Sequence, residues 1–136
     1  KNKCSFGAYE VLRTNKKIQL TILASGSEVN LALETCHKLA KDKIYSKVIS
    51  VPCMELFDLQ SNVYKERILN ETKYKISIEA GSIECWKKYI GDFGMTFGIN
   101  EFGKSAPYKE IYNYFGLIAS NISKKSKKLV KKRNVN

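Results

Sequence analysis

Histidine, arginine and proline are scarce in this 136-residue chain. The shortage of histidine excludes the most kinds of catalytic and metal-binding site. A single histidine, His37, cannot supply the several imidazoles that proton transfer or zinc binding usually uses. It follows Cys36 on a predicted helix, where adjacent side chains point in different directions, so a Cys–His nucleophilic pair is not expected. The four cysteines show no C-x-x-C spacing and are typical of reduced, mostly buried thiols.

Long apolar runs and a signal peptide are also lacking. No run approaches the ~20 residues that a membrane span needs. The sequence therefore predicts a cytoplasmic protein with no membrane partner. Because the chain begins with lysine, we expect it to be a piece of a longer polypeptide. Its hydrophobic content of 43% is sufficient for the core of one domain.

The net charge of +11 is distributed unevenly. Seven positive charges lie between Lys124 and Arg133, and the rest of the chain has 17 basic and 13 acidic residues. Lysine outnumbers arginine by 21 to 3, whereas proteins that read nucleic acids often use the bidentate fork of arginine. We therefore predict a solvated Lys-rich helix end and tail over residues 124–136, and no nucleic-acid partner.

Extended and helical patterns alternate along the chain. Tyr9–Arg13 and Ile18–Ala24, separated by four polar residues, predict an antiparallel hairpin. Further strands are predicted at 47–51, 74–78 and 95–99, with helices between them and a final helix that starts near Ser120. This order predicts an α/β fold with three α/β/α layers. Its sheet is mixed and mainly parallel, with about five strands and an antiparallel edge strand from the hairpin.

A turn of small residues follows the second predicted strand. Ser25 and Glu28 fit a capping box, in which Ser25 caps the next helix and Glu28 reaches back to it. Ligands of parallel sheets bind beyond the carboxyl ends of the strands, and helix N-termini favour anions. Ser25, Gly26 and Ser27 therefore form a candidate anion site. A purely structural cap is the alternative, since Glu28 would repel an anion.

Residues 98–107 fit two descriptions. Residues 98–105 match the P-loop pattern G-x-x-x-x-G-K-[ST], whose backbone N–H groups cradle phosphates. The same segment fits a helix start capped by Ser105. Pro107 is tolerated in the first turn of such a helix but would disrupt the helix that a P-loop requires. Because Glu101 would also place a negative charge where phosphates bind, we interpret the segment as a helix start.

Short segments spread along the chain, taken in order, carry a resemblance. They are Gly7-Ala8-Tyr9, Ala24 to Val29, Val48 to Pro52, Phe57-Asp58 with Gln60, Glu79-Ala80-Gly81, Trp86 with Lys88 to Gly91, Gly94, Gly98 and Phe102 to Pro107. From Gly7 to about Leu129 the chain is similar to the C-terminal domain of the transketolase family. The F-D-x-Q and F-G-x-S-A-P segments resemble transketolase more than 1-deoxyxylulose-5-phosphate synthases or the β subunits of 2-oxoacid dehydrogenases. On this basis residues 1–6 are predicted to be a linker, 7–123 the domain and 124–136 the helix end and tail.

The resemblance implies a homodimeric enzyme that uses thiamine diphosphate with Mg²⁺ or Ca²⁺. Such an enzyme moves two-carbon ketol units between sugar phosphates in the pentose phosphate pathway. The resemblance also implies that upstream domains of the same polypeptide hold the cofactor and the metal. We therefore assign no catalytic, cofactor-binding or metal-binding residue to this chain, and expect the isolated fragment to be inactive.

The expected contribution of the domain is stability of the subunit or of the dimer, together with weak anion or regulator binding. Candidate interface anchors are Trp86, Tyr89, Phe93 and Phe102, because aromatic residues dominate protein contacts. Two alternatives remain open. One is a stand-alone small-molecule or nucleotide-binding module that uses the turn at Ser25–Ser27, and the other is a fragment that binds nucleic acid through its tail.

Overall fold

The computed structural model describes residues 2–15, 17–81, 83–98, 108–114 and 116–132. The strands are β1 (Tyr9–Arg13), β2 (Leu20–Ala24), β3 (Ser46–Ser50), β4 (Tyr74–Glu79) and β5 (Met95–Gly98). The helices are α1 (Glu28–Lys41), α2 (Met54–Asp58), α3 (Asn62–Leu69), α4 (Lys87–Ile90), α5 (Tyr108–Tyr114) and α6 (Ala119–Lys132). Two 3₁₀ turns lie at Lys3–Phe6 and Glu84–Trp86.

The strands form one sheet in the order β1-β3-β2-β4-β5. Strands β2 to β5 run parallel and β1 runs antiparallel at an edge, which confirms the predicted mixed sheet. The predicted hairpin is wrong, because β1 pairs with β3 and not with β2. The connection between β1 and β2 instead wraps the start of β3, where the Thr14 N–H donates to the Ser46 carbonyl and the Gln19 N–H to the Tyr45 carbonyl. Strand β3 therefore lies between its two predecessors.

Helices cover both faces of the sheet, so β2 and β3 are buried along their whole length. One face packs Leu20, Ile22, Val48, Ile76 and Ile78 against α1 and α6. On the other face, Leu23 and Ile49 belong to a cluster with residues of α2, α3 and α4. These layers confirm the predicted α/β/α arrangement.

Gly7 joins the N-terminal 3₁₀ turn to β1. Its φ angle is +80°, a left-handed conformation that favours glycine. A Cβ atom at this position would lie 2.2 Å from the backbone nitrogen of Phe57 and 2.4 Å from the carbonyl oxygen of Cys53. The chain just before β1 thus packs directly against the backbone of Cys53 and α2. Only glycine, which has no Cβ atom, leaves room for this contact.

The first part of the Lys-rich segment, up to Val130, packs as part of the domain. The predicted boundary at residue 123 falls inside α6, and Ser126 and Val130 beyond it are 0% and 2% exposed. Lys127 pairs with Asp42 at the end of α1, at 3.3 Å. The helix continues because every third or fourth residue packs on the sheet while its lysines remain on the outer face.

The cysteines are less buried than predicted. Cys36 is buried, Cys53 is partly buried, and Cys4 and Cys85 are exposed. His37, next to Cys36, is exposed, so the two side chains face different ways as expected. Among the described residues, no helix combines the length and apolar character that crossing a membrane requires.

Candidate functional site

The turn at Ser25–Ser27 lies at the carboxyl edge of the sheet, between the end of β2 and the start of α1. The neighbouring strand β4 ends at Glu79. The Ser25 hydroxyl donates to Oε2 of Glu79 at 2.7 Å, and the Gly81 N–H donates to Oε1 of the same carboxylate at 3.1 Å. Glu79 therefore connects the turn after β2 to the turn after its own strand.

The second carboxylate of this edge belongs to Glu28, the first residue of α1. Its side chain is 5% exposed and accepts hydrogen bonds from the Ser27 and Tyr112 hydroxyls. Burial, and after it the hydrogen bond to Glu28, raises the pKa of Tyr112 to about 12. Tyr112 thus stays protonated at physiological pH and ties α5 to the start of α1.

The capping box predicted here does not form. Ser27, not Ser25, precedes the helix, and its side chain makes no capping hydrogen bond. The Glu28 N–H is satisfied by the Ser25 carbonyl at 3.1 Å. Because Glu28 is engaged by Tyr112, its carboxylate faces α5 instead of folding back to the cap.

This geometry argues against the candidate anion site at Ser25, Gly26 and Ser27. Both serine hydroxyls donate to carboxylates, which are the groups that an anion would have to displace. The carboxylates of Glu28 and Glu79 flank the turn and repel negative charge. The alternative of a nucleotide-binding module that uses this turn loses its support for the same reason.

The P-loop match lies almost entirely outside the described residues. Only Gly98, the last residue of β5, is described. A Cβ atom there would lie 2.1 Å from Cγ2 of Ile83, so Gly98 is explained by close packing against the β4–α4 connection. The helix start predicted at Ser105, and Phe102 among the interface anchors, also lie outside the described residues.

Two of the proposed interface anchors are core residues. Trp86 is 0% exposed and Tyr89 is 6% exposed, and both pack in the cluster below α2 and α3. Their side chains offer almost no surface to another domain, which corrects the role predicted for them. Phe93 is 41% exposed and lies in the turn between α4 and β5. It remains a candidate contact.

Tyr89 instead holds α4 against α2, through two residues of the F-D-x-Q segment. The rings of Tyr89 and Phe57 lie 5.6 Å apart between centroids. The Tyr89 hydroxyl donates to Oδ1 of Asp58 at 2.7 Å, and Nζ of Lys88 lies 2.6 Å from Oδ2. Burial, followed by the bond to Asp58, raises the pKa of Tyr89 to about 12. The F-D-x-Q segment and α4, which are distant in sequence, are thus joined by contacts that stabilise the fold.

An exposed apolar surface on α2 and α3 was missed by the sequence analysis. It consists of Leu56, Leu59 and Val63, which are 40%, 80% and 78% exposed. We call these three residues the α2–α3 apolar surface. A signal was present in the spacing. Leu56 and Leu59 lie one and two residues from the buried Phe57, and Val63 lies five residues from the buried Ile68, so none of them shares a helix face with its buried neighbour.

The described part of the chain offers no set of side chains for a metal site. No group of three or more His, Cys, Asp or Glu side chains there could hold a metal ion. The two carboxylates at the carboxyl edge are already hydrogen-bonded to hydroxyls. Fold and site together define a three-layer α/β domain whose carboxyl edge is closed by its own side chains.

A comparison with known families identifies this class of domain. The model of the transketolase-like TK C-terminal domain matches residues 7–118, and the chain therefore belongs to this family. The transketolase of Bacillus subtilis is 41% identical over 128 residues, which cover 93% of this chain and 19% of that protein. The transketolase of Aquifex aeolicus is 38% identical over 120 residues, which cover 88% of this chain and 17% of that protein.

Solved structures give the same result. The chain superposes on Pichia stipitis transketolase in complex with sedoheptulose-7-phosphate with a TM-score of 0.87 and 32% identity. The match covers 98% of this chain and 19% of that chain. Campylobacter jejuni transketolase gives a TM-score of 0.78 and 36% identity over 90% of this chain. The chain spans about a fifth of the length of the relatives it matches.

Proposed function

We propose that this chain acts as the C-terminal domain of a longer transketolase polypeptide. The whole enzyme would transfer two-carbon ketol units between sugar phosphates, as a homodimer with thiamine diphosphate and a divalent metal. One observation carries the proposal: almost the entire chain matches transketolases but covers only 17–19% of them. The remaining four fifths of such a polypeptide would hold the cofactor.

The described residues do not fit a thiamine diphosphate site. A diphosphate would meet the carboxylates of Glu28 and Glu79 at the carboxyl edge, and the described part of the chain offers no cluster for the accompanying metal. We therefore derive no catalytic step through this domain. Its proposed role is to stabilise the subunit by packing against the upstream part of the polypeptide.

The α2–α3 apolar surface is the proposed contact for this packing. Leu59 and Val63 leave most of their apolar area in water, which is unfavourable unless another surface covers it. Phe93, also exposed, is a second candidate contact. We choose the upstream polypeptide as the occupant because most of a transketolase chain lies outside this domain.

The experiment compares one double variant in two contexts. Leu59→Gln with Val63→Gln should leave the isolated chain's unfolding midpoint nearly unchanged, because exposed positions contribute within about 0.5 kcal/mol. In the full-length polypeptide the same variant should lower the thermal midpoint and reduce transketolase activity. Ile118→Gln, at a 37% exposed position on the opposite side of the sheet, is the matched control. Equal losses in both contexts would indicate a local folding defect and contradict the docking role.

A calorimetric titration tests the prediction that this domain binds no thiamine diphosphate. The isolated chain, titrated with thiamine diphosphate and Mg²⁺, should give no saturable heat. A stoichiometric heat of binding would show that the cofactor site extends into this domain.

A further inference from the structure

Two lysines lie on one face of the sheet, near the amino ends of three parallel strands. Thr21 of β2 is in register with Lys47 of β3 on one side and with Lys75 of β4 on the other. Residues in register project from the same face, and this face also carries Leu23 and Ile49, two positions further along their strands, in the apolar cluster below α2, α3 and α4. Both lysine side chains therefore enter the same covered layer.

The charge of Lys47 is compensated. Its side chain is only 1% exposed, and Nζ lies 2.9 Å from Oε2 of Glu71. The ammonium also donates to the carbonyl oxygen of Arg67 at 3.4 Å. Arg13 of β1 donates to both oxygens of the same Glu71 carboxylate, which holds it on the β1 side of Lys47. Lys75 lies on the other side, two strands away, or about 10 Å between Cα atoms.

The charge of Lys75 has no such compensation. Its side chain is partly buried, and none of the ion pairs or hydrogen bonds formed among the described residues involves its ammonium. The hydroxyl of Thr21, which lies between the two lysines, is bonded instead to the Thr72 hydroxyl at 2.8 Å. Burial, and after it the charge of Lys47, lowers the pKa of Lys75. The neutral amine is therefore a larger fraction of this side chain than it would be in water.

A lysine becomes a nucleophile when its amine is neutral. Two features activate lysines in this way, a desolvated environment and a neighbouring cation. Lys75 has both, because the sheet layer removes part of its water and Lys47 lies on the same face. Its burial is incomplete, so the amine remains within reach of a small molecule.

We propose that Lys75, activated by its position beside Lys47, is a site of reversible covalent binding for small aldehydes. The lone pair of Nζ attacks the carbonyl carbon and forms a carbinolamine. The two hydrogens of the neutral amine then leave with the carbonyl oxygen as water, and a Schiff base remains. No electrons are gained or lost, so the step requires only the aldehyde. The site is independent of the proposed function, because Lys75 takes no part in the docking surface.

The test traps the Schiff base. The chain is treated at neutral pH with limiting acetaldehyde and cyanoborohydride, which reduces the imine to N-ethyl-lysine, and each lysine is quantified by peptide mass spectrometry. Lys75 should carry at least about fivefold more label than Lys41. Lys41 is the reference because it is exposed and also forms no ion pair among the described residues, so accessibility alone would favour Lys41. The emission of the buried Trp86 establishes that the treated chain is folded.

Two variants and one denatured sample complete the design. Lys47→Met should reduce the preference for Lys75 by about threefold or more, because it removes the neighbouring cation. Lys125→Met removes one exposed charge on α6, on the opposite face of the sheet, and should leave the preference unchanged. In guanidinium chloride the labelling of Lys75 and Lys41 should become equal. The proposal would be overturned by equal labelling in the folded chain, by a preference that persists after unfolding, or by equal effects of Lys47→Met and Lys125→Met.

Discussion

Replacing Glu71 with glutamine is expected to lower the free energy of unfolding by about 2–4 kcal/mol. The carboxylate of Glu71 accepts from Arg13 and pairs with Lys47, whose side chain is only 1% exposed. Removing the carboxylate leaves the buried Lys47 charge with weaker compensation, which costs more than the pair itself contributes. The loss would therefore arise chiefly at the Lys47 ammonium.

The pKa of Glu71 provides a separate measure of the interaction. The hydrogen bond from Arg13, followed by that from Lys47, lowers the pKa from 4.5 to about 2. Such a difference corresponds to about 3 kcal/mol, and we reduce it to about 1–2 kcal/mol because the Glu71 side chain is 30% exposed and partly screened by water. Since the folded pKa is depressed, this stability is present above the unfolded value of 4.5 and is lost as pH falls toward 2.

Urea unfolding followed by fluorescence provides the assay. Trp86 is the only tryptophan and is fully buried, so its emission reports loss of the core. Lys47→Met removes the buried charge while keeping an unbranched chain of similar length, and should cost less than Glu71→Gln. Combining both changes should recover part of the Glu71→Gln loss. Equal losses for the two single variants, or an acid dependence between pH 5 and about 2 that Glu71→Gln leaves intact, would refute the reasoning.

Three further predictions concern the backbone, one hydrogen bond and the segment after β5. Gly7→Ala should cost about 3 kcal/mol or more in urea unfolding, because the new Cβ meets backbone atoms, whereas Gly26→Ala, with φ +56° but open space, should cost about 1 kcal/mol; equal costs would count against the clash. Tyr89→Phe should cost about 1–2 kcal/mol by removing the hydroxyl bonded to α2, and an unchanged midpoint would show that this bond contributes nothing. Lys104→Ala should leave stability within about 0.5 kcal/mol and Ser105→Ala should cost about 1 kcal/mol, while ATP binding abolished by Lys104→Ala would establish a P-loop.

The sequence by itself determined the kinds of elements and their order. Strands β1 and β5 begin at the predicted residues, because short apolar runs bounded by turn residues depend on local chemistry. The final helix, predicted near Ser120, begins at Ala119. The family resemblance also lay within the sequence, since it rests on short segments in a fixed order along the chain.

Pairings and side-chain environments were decided only by the tertiary structure. The pattern of β1 is compatible with either neighbour, and the position of β3 between β1 and β2 follows from a connection whose partners lie about 30 residues away. The local sequence predicts that Glu28 is a capping residue, but its carboxylate instead accepts a hydrogen bond from Tyr112, 84 positions later. Trp86 is predicted from the sequence to be an interface anchor, but in the fold it is fully buried in the cluster that includes Leu23 and Phe57. Each difference has one physical cause: contacts between residues distant in sequence outweigh local preference once the core forms.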